Sequence, residues 1–232
     1  MITSDELHLK QIEINNEITE RAQKLNKFHE PLFDGVVNEE LFLNGKPKIL
    51  WILKEPWEKL ENGQSGGGWD LVKKLLHEGW HSNKGSYAIM AYVSYSILNG
   101  FKKYSDIPYV SEDANVGNSM KYISYINVKK FPGSTTSNMD EISEYYLEFK
   151  DILVKEIDLI NPDIVIGGNT LQLFFDDLKL KADNFNKETW SAWWYKNNNR
   201  LYIHSYHPNQ RTIKKEKYVD DIVSVVQNNY YF

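Results

Sequence analysis

The sequence contains no cysteine, and this absence removes several kinds of chemistry. Without thiols the chain can form no disulfide, no thiolate nucleophile, no iron–sulfur cluster and no cysteine-ligated zinc site. The lack of cysteine also fits a reducing compartment. Any reaction must therefore depend on carboxylates, histidine, asparagine, lysine or tyrosine.

Long hydrophobic runs are also missing. No apolar stretch approaches the roughly 20 residues that a helix needs to cross a bilayer. The opening residues, MITSDELHLK, do not have the pattern of a secretion signal. We therefore expect a cytoplasmic protein that does not associate with a membrane.

The chain has no overall excess of positive charge, since its formal net charge is -5. This argues weakly against a surface covered in phosphate contacts, but local charge matters more for nucleic-acid binding. The segment RLYIHSYHPNQRTIKKEK, residues 200–217, contains five basic residues and one acidic residue. It is either a small basic patch or a solvated loop and helix start, and charge alone favours the second interpretation.

Aromatic residues are plentiful, at 14% of the chain, and include seven tryptophans and fifteen tyrosines. Such rings pack in cores, and they also stack on flat ligands. Composition alone leaves both uses open.

Four segments have the composition of β-strands, and helical patterns separate them. The predicted strands are ILWIL (49–53), KYISYINV (121–128), DIVIGG within NPDIVIGGN (161–169), and RLYIHSY (200–206). This alternation predicts an α/β protein with three αβα layers around a central, mostly parallel four-stranded sheet. We expect a single domain over residues 1–232, with a helix at about 5–27 packed on the outside.

Polar residues lie at or just after the end of each predicted strand, where open parallel sheets bind ligands. They are Glu55, Asn127, Asn169 and His207. Each has a structural alternative: Glu55 precedes a proline and can be a turn residue, Asn127 can cap a turn, and His207 can be a satisfied buried histidine. Their joint placement favours a common site.

The same four segments, in this order, resemble motifs of the uracil-DNA glycosylase superfamily. LKEPW is similar to the G-Q-D-P-Y motif, with Glu55 at the position of the aspartate, and YINVKKFPG is similar to the motifs that carry the base-reading asparagine. NPDIVIGGN resembles the third motif, and the HPN sequence at His207 resembles H-P-S. The resemblance spans residues 47–226.

The resemblance implies a monofunctional, metal-free and cofactor-free DNA glycosylase that flips a base out of DNA and leaves an abasic site. Glu55 would position water and stabilise an oxocarbenium-like sugar, while His207 would stabilise the departing base. Asn127 would read the edge of the base. The remaining implied contacts are to the base, by Trp57, Trp69 and Asn169, and to the DNA backbone, by Lys129, Lys130, Arg211, Lys214 and Lys215.

The sequence also departs from the family pattern. Leu53 and Lys54 replace the glycine and glutamine of the first motif, Trp57 replaces a tyrosine that excludes bulky pyrimidines, and Asn209 replaces a serine. A different pocket wall predicts a different base, such as a bulky modified cytosine of phage DNA, in addition to uracil-like bases. We expect a monomer.

Two alternatives remain open at the level of sequence. The first is a catalytically inactive protein of the same fold that binds nucleic acid or nucleotides. The second is a flavodoxin-like domain that binds a phosphorylated ligand at the glycine-rich segment GQSGGG, residues 63–68.

Overall fold

The computed structural model describes residues 2–27, 29–56, 60–61, 64–65, 71–133, 136–181, 185–197 and 199–230. The α-helices within these ranges are α1 (Ser4–Lys24), α2 (Glu39–Asn44), α3 (Leu71–Glu78), α4 (Ser86–Leu98), α5 (Ala114–Asn118), α6 (Met139–Ile160) and α7 (Lys215–Asn229). The strands are β1 (Gly35–Val36), β2 (Ile49–Leu53), β3 (Leu60–Glu61), β4 (Gln64–Ser65), β5 (Ser124–Asn127), β6 (Ile164–Gly168), β7 (Ala192–Asn197) and β8 (Arg200–Ser205).

The main sheet is mixed, with six strands in the order β1-β5-β2-β6-β8-β7. The four inner strands, β5, β2, β6 and β8, run parallel to one another. The edge strands β1 and β7 pair antiparallel with β5 and β8. A separate two-stranded ribbon consists of β3 and β4.

The side chains of the inner strands alternate between two hydrophobic clusters, as strand geometry requires. In β2, Trp51 belongs to a cluster that includes residues of α4 and α7, whereas Leu50 and Ile52 belong to a second cluster with residues of α1 and α6. All five residues of β2 are buried. This explains why β2 is a continuous apolar run rather than an alternating pattern.

Local sequence signals set the ends of two long helices. Thr3 accepts a hydrogen bond from the backbone N–H of Glu6, and the Glu6 carboxylate accepts one from the Thr3 backbone, which is a capping box at the start of α1. Asn138 caps the start of α6, and Asn161 ends it in the left-handed conformation, with φ 46°. The chain then turns directly into β6.

The predicted α/β class is confirmed, and the four predicted strands correspond to the four parallel inner strands. The predicted count of four is wrong for the sheet, because the antiparallel edges β1 and β7 extend it to six. The aromatic segment 188–196 contributes β7, which pairs antiparallel with β8. After β6 the chain forms a short 3-10 helix, Leu171–Phe174.

Candidate functional site

The order of the parallel strands places a topological switch between β2 and β6. The strand β5, which follows β2 in the parallel set, lies on one side of β2, and β6 lies on the other. In open parallel sheets the ligand crevice lies beyond the carboxyl ends of the strands at such a switch. Lys54 and Glu55 directly follow β2, and Asn169 directly follows β6.

The loop after β8 packs onto the same edge of the sheet. A Cβ atom on Gly168 would lie 2.9 Å from Cδ of Pro208 and 3.3 Å from Cδ2 of Leu53. A glycine is therefore needed where the ends of β2 and β6 meet the loop that carries His207. The packing of Pro208 against Gly168 places His207 at the carboxyl edge of the sheet, with Lys54 and Glu55.

Glu55 is held by a buried ion pair. Its Oε2 atom lies 2.9 Å from Nζ of Lys129, and the Glu55 side chain is 5% exposed. Gly133 makes room for this carboxylate, because a Cβ atom at that position would lie 2.0 Å from both Cδ and Oε2 of Glu55. The position of Glu55 thus depends on the KKFPG segment after β5.

Lys129 bridges two carboxylates, since its Nζ atom also lies 2.6 Å from Oε1 of Glu141 on α6. Burial lowers the pKa of Lys129, but hydrogen bonds to Glu141 and Glu55 outweigh that effect and raise it above its ordinary value. Lys129 is therefore positively charged, and its ammonium group binds both carboxylates. Lys129 is predicted to contact the DNA backbone, and in the fold its ammonium group holds Glu55 in place.

His207 is a neutral hydrogen-bond donor at this edge. Burial, and then the charge of Lys54, lower the pKa of His207 to about 4, so the imidazole is uncharged at neutral pH. Its Nδ1 atom accepts a hydrogen bond from the backbone N–H of Asn209 at 3.2 Å. The ring proton must then be on Nε2, which can donate to a ligand.

Lys54 was not predicted as a site residue. It is partly buried, and burial lowers its pKa below the ordinary lysine value, with Glu55 acting in the opposite direction. Within the described ranges no carboxylate forms an ion pair with Lys54. A charged or polar ligand at this edge would therefore meet a cation beside the neutral His207.

Asn127, at the end of β5, is oriented by a buried aspartate. Its backbone N–H and its side-chain Nδ2 both donate to Oδ2 of Asp34, at 2.7 and 2.9 Å. This fixes the amide plane and gives one of its two side-chain N–H groups to Asp34. Asn127 is itself 4% exposed, and its Oδ1 atom and second N–H form no further hydrogen bond to the described residues.

Lys130 lies deep in the protein instead of on a DNA-binding surface. Its side chain is 2% exposed and forms ion pairs with Asp34 and with Glu156, the latter at 2.8 Å. Burial raises the pKa of Asp34 and raises that of Glu156 to about 7, against the opposing effect of the lysine. Lys130 is predicted to contact the DNA backbone, but in the fold its ammonium group pairs with two buried carboxyl groups.

The other predicted residues have different surroundings. Asn169 adopts the left-handed conformation, with φ 62°, and its backbone N–H donates to the Ser205 carbonyl at 2.7 Å, joining the ends of β6 and β8. Arg211 and Lys214 are exposed. Lys215 is half-buried and donates to the carbonyl of Asn83 at 2.9 Å, so its ammonium already supports the fold.

Two predicted base contacts, Trp57 and Trp69, lie outside the described residues, as does most of the glycine-rich segment 63–68. Three contributors were missed by the sequence interpretation: Asp34, Gly133 and Lys54. The FDG sequence around Asp34 resembles an ordinary turn, and only the fold brings Asp34 beside Asn127. Gly133 stood within the quoted KKFPG motif and could have been singled out there.

The described residues contain no helix long and apolar enough to cross a membrane, and no group of three or more His, Asp or Glu side chains that could hold a metal ion. Comparisons of the chain with protein-family models and with curated proteins gave no match. The chemistry at the carboxyl edge of the sheet is therefore the basis for a functional assignment.

Proposed function

We propose that this protein is a monofunctional DNA glycosylase that hydrolyses the N-glycosidic bond of a flipped uracil-like or modified pyrimidine base. The observation that carries the proposal is the gathering of a buried carboxylate, an oriented amide and a neutral histidine at one edge of the sheet. We also infer a three-layer αβα architecture and a cytoplasmic monomer with DNA as its partner.

The bond cleavage requires opposite charges to be stabilised at the two ends of the breaking bond. As the bond between C1′ and the base nitrogen breaks, positive charge develops on the sugar and negative charge on the base. The Glu55 carboxylate would position the attacking water and face the positive sugar. The Nε2–H of His207 would donate a hydrogen bond to the base. The Lys54 ammonium beside it would stabilise the negative charge that develops on the departing base.

Base recognition would depend on Asn127. Since Asp34 holds the amide plane, Asn127 would present one acceptor and one donor to the pyrimidine edge. The high pKa of Lys129, and its two carboxylate partners, argue against a lysine nucleophile at that position and against a strand-cleaving step there. Bulky modified cytosines of phage DNA remain proposed substrates alongside uracil.

A non-catalytic nucleic-acid or nucleotide binder of the same fold is the second candidate. The ion pair between Glu55 and Lys129 favours it, because the lysine partly neutralises the carboxylate that catalysis would use. The two candidates differ in a single measurable property, which is release of the base.

The test is a panel of single-stranded and duplex oligonucleotides that carry uracil, hypoxanthine, hydroxymethylcytosine or glucosylated hydroxymethylcytosine. We expect uracil or one of the two modified cytosines to appear free by mass spectrometry, with a matching alkali-labile site in the strand. Glu55→Gln and His207→Ala should abolish release, whereas Glu20→Gln and His81→Ala, at exposed positions, should leave it unchanged. Binding without release of any base would refute catalysis and support the second candidate.

A further inference from the structure

A group of four aromatic side chains, two exposed and two half-buried, lies at the carboxyl end of β8. It consists of Trp190, Trp193, His204 and Tyr206, with the Lys187 ammonium over two of the rings, and we name it the aromatic platform. Trp193 of β7 lies 5.7 Å from His204 and 5.7 Å from Tyr206, between ring centroids. Trp190 is 70% exposed and Tyr206 is 37% exposed.

The aromatic platform is not part of the protein core. Of the residues that the structure describes, Trp190, Trp193 and Tyr206 belong to neither hydrophobic cluster. The Nδ1 atom of His204 is buried without a hydrogen-bond partner, and burial lowers the pKa of His204, so its ring is neutral. Aromatic side chains that lie together at the surface are a common feature of binding sites.

Charge and position both indicate what binds there. The Lys187 ammonium lies 5.3 Å from the ring centroid of Trp190 and 5.1 Å from that of Trp193, and within the described ranges no carboxylate pairs with it. Flat aromatic faces combined with cations are how proteins bind single-stranded nucleic acid, through base stacking and phosphate contacts. Trp193 of β7 pairs with His204 near the end of β8, and Tyr206 and His207 follow that end directly, so the aromatic platform lies at the same carboxyl edge of the sheet as His207.

We propose that the aromatic platform stacks unpaired nucleobases of the DNA strand that carries the target base. This inference rests on the proposed function, because it adds a binding site for the nucleotides that flank the excised one. Bases in a duplex are already stacked on each other, so the platform favours single-stranded or locally opened DNA. The Lys187 ammonium and the exposed Arg211 would contact the phosphates of that strand.

The test measures binding, not base release. A short fluorescein-labelled thymine oligonucleotide without a target base is titrated with protein, and the Kd is read from fluorescence anisotropy. Trp190→Ala should weaken binding between about fivefold and 150-fold, the range for loss of one base–aromatic stack. Trp190→Phe should restore most of the affinity, because a ring face remains.

A base-free strand of the same length, built from abasic-site analogues, separates stacking from charge. Wild type and Trp190→Ala should bind it equally, while Lys187→Ala should weaken binding to both strands. Tyr109→Ala is the matched control, since Tyr109 is an exposed aromatic residue outside the aromatic platform, at 53% exposure, and it should change neither Kd. Circular dichroism should give the same spectrum for all variants.

Two results would overturn the inference: an unchanged Kd for Trp190→Ala on the thymine strand, or an equal loss on the thymine and base-free strands. Failure of the proposed function is recognised separately. If the wild type binds the thymine strand through Trp190 but releases no base from the substrate panel, the aromatic platform is supported and the glycosylase activity is refuted. If base release occurs and the Trp190 variant binds normally, only the platform is refuted.

Discussion

Glu156 is expected to make the folded protein less stable as the pH rises, and Glu156→Gln should remove this effect. Its carboxyl group is buried with Asp34, and the two carboxyls share Lys130 as their cation. If both carboxyls were ionised, this buried group would carry a net negative charge that no further described cation balances. Burial and the Asp34 charge therefore favour a protonated Glu156, against the effect of the lysine, and its pKa is raised to about 7.

The sign and size of the effect follow from linkage. The unfolded chain loses the Glu156 proton near the ordinary pKa of 4.5, whereas the folded protein keeps it until about pH 7. Stability is therefore lost as the pH rises through this window. A pKa raised by about 2.5 corresponds to about 3 kcal/mol in the free energy of unfolding.

The assay is urea denaturation, followed by tryptophan fluorescence, at intervals between about pH 5 and pH 8. From the lower to the upper end, the wild type should lose most of the expected 3 kcal/mol relative to Glu156→Gln, because glutamine does not ionise. Glu20→Gln removes the same charge at an exposed position and should give a pH profile parallel to that of the wild type. Parallel profiles for wild type and Glu156→Gln would refute the reasoning.

Three further predictions concern single residues. Lys130→Met should lower the free energy of unfolding by about 3–5 kcal/mol in urea denaturation at pH 8, because it leaves buried carboxylates without their cation. A loss below about 1 kcal/mol would contradict this prediction. Gly133→Ala should reduce base release at least tenfold, because its Cβ would displace the Glu55 carboxylate, and unchanged rates in the oligonucleotide assay would argue against that role. The rate of base release should be constant from pH 8 to pH 6 and fall only as the pH approaches about 4. At that pH His207 gains a second proton and can no longer accept the hydrogen bond from the Asn209 N–H. A midpoint near pH 6.5 would mean that the histidine is not buried as described.

Much of the architecture could be predicted from the sequence. The run Ile49–Leu53 is apolar because its strand is buried on both faces, and the helix after Asn138 follows its cap and its apolar period. The edge strands were harder to predict, because β1 has only two residues and β7 lacks a regular alternation of buried and exposed side chains. Their pairing with β5 and β8 depends on residues distant in sequence.

The sequence by itself determined which residue types follow each strand, and therefore that Glu55, Asn127 and His207 meet at one edge, since parallel strands end together. Only the tertiary structure decided what each polar side chain does there. Lys129 and Lys130 are neighbours with the same charge, yet one holds Glu55 and the other lies between two buried carboxylates. Successive residues after a strand point in different directions, so the surroundings of a charge are set by the elements packed against it and not by its neighbours in the chain.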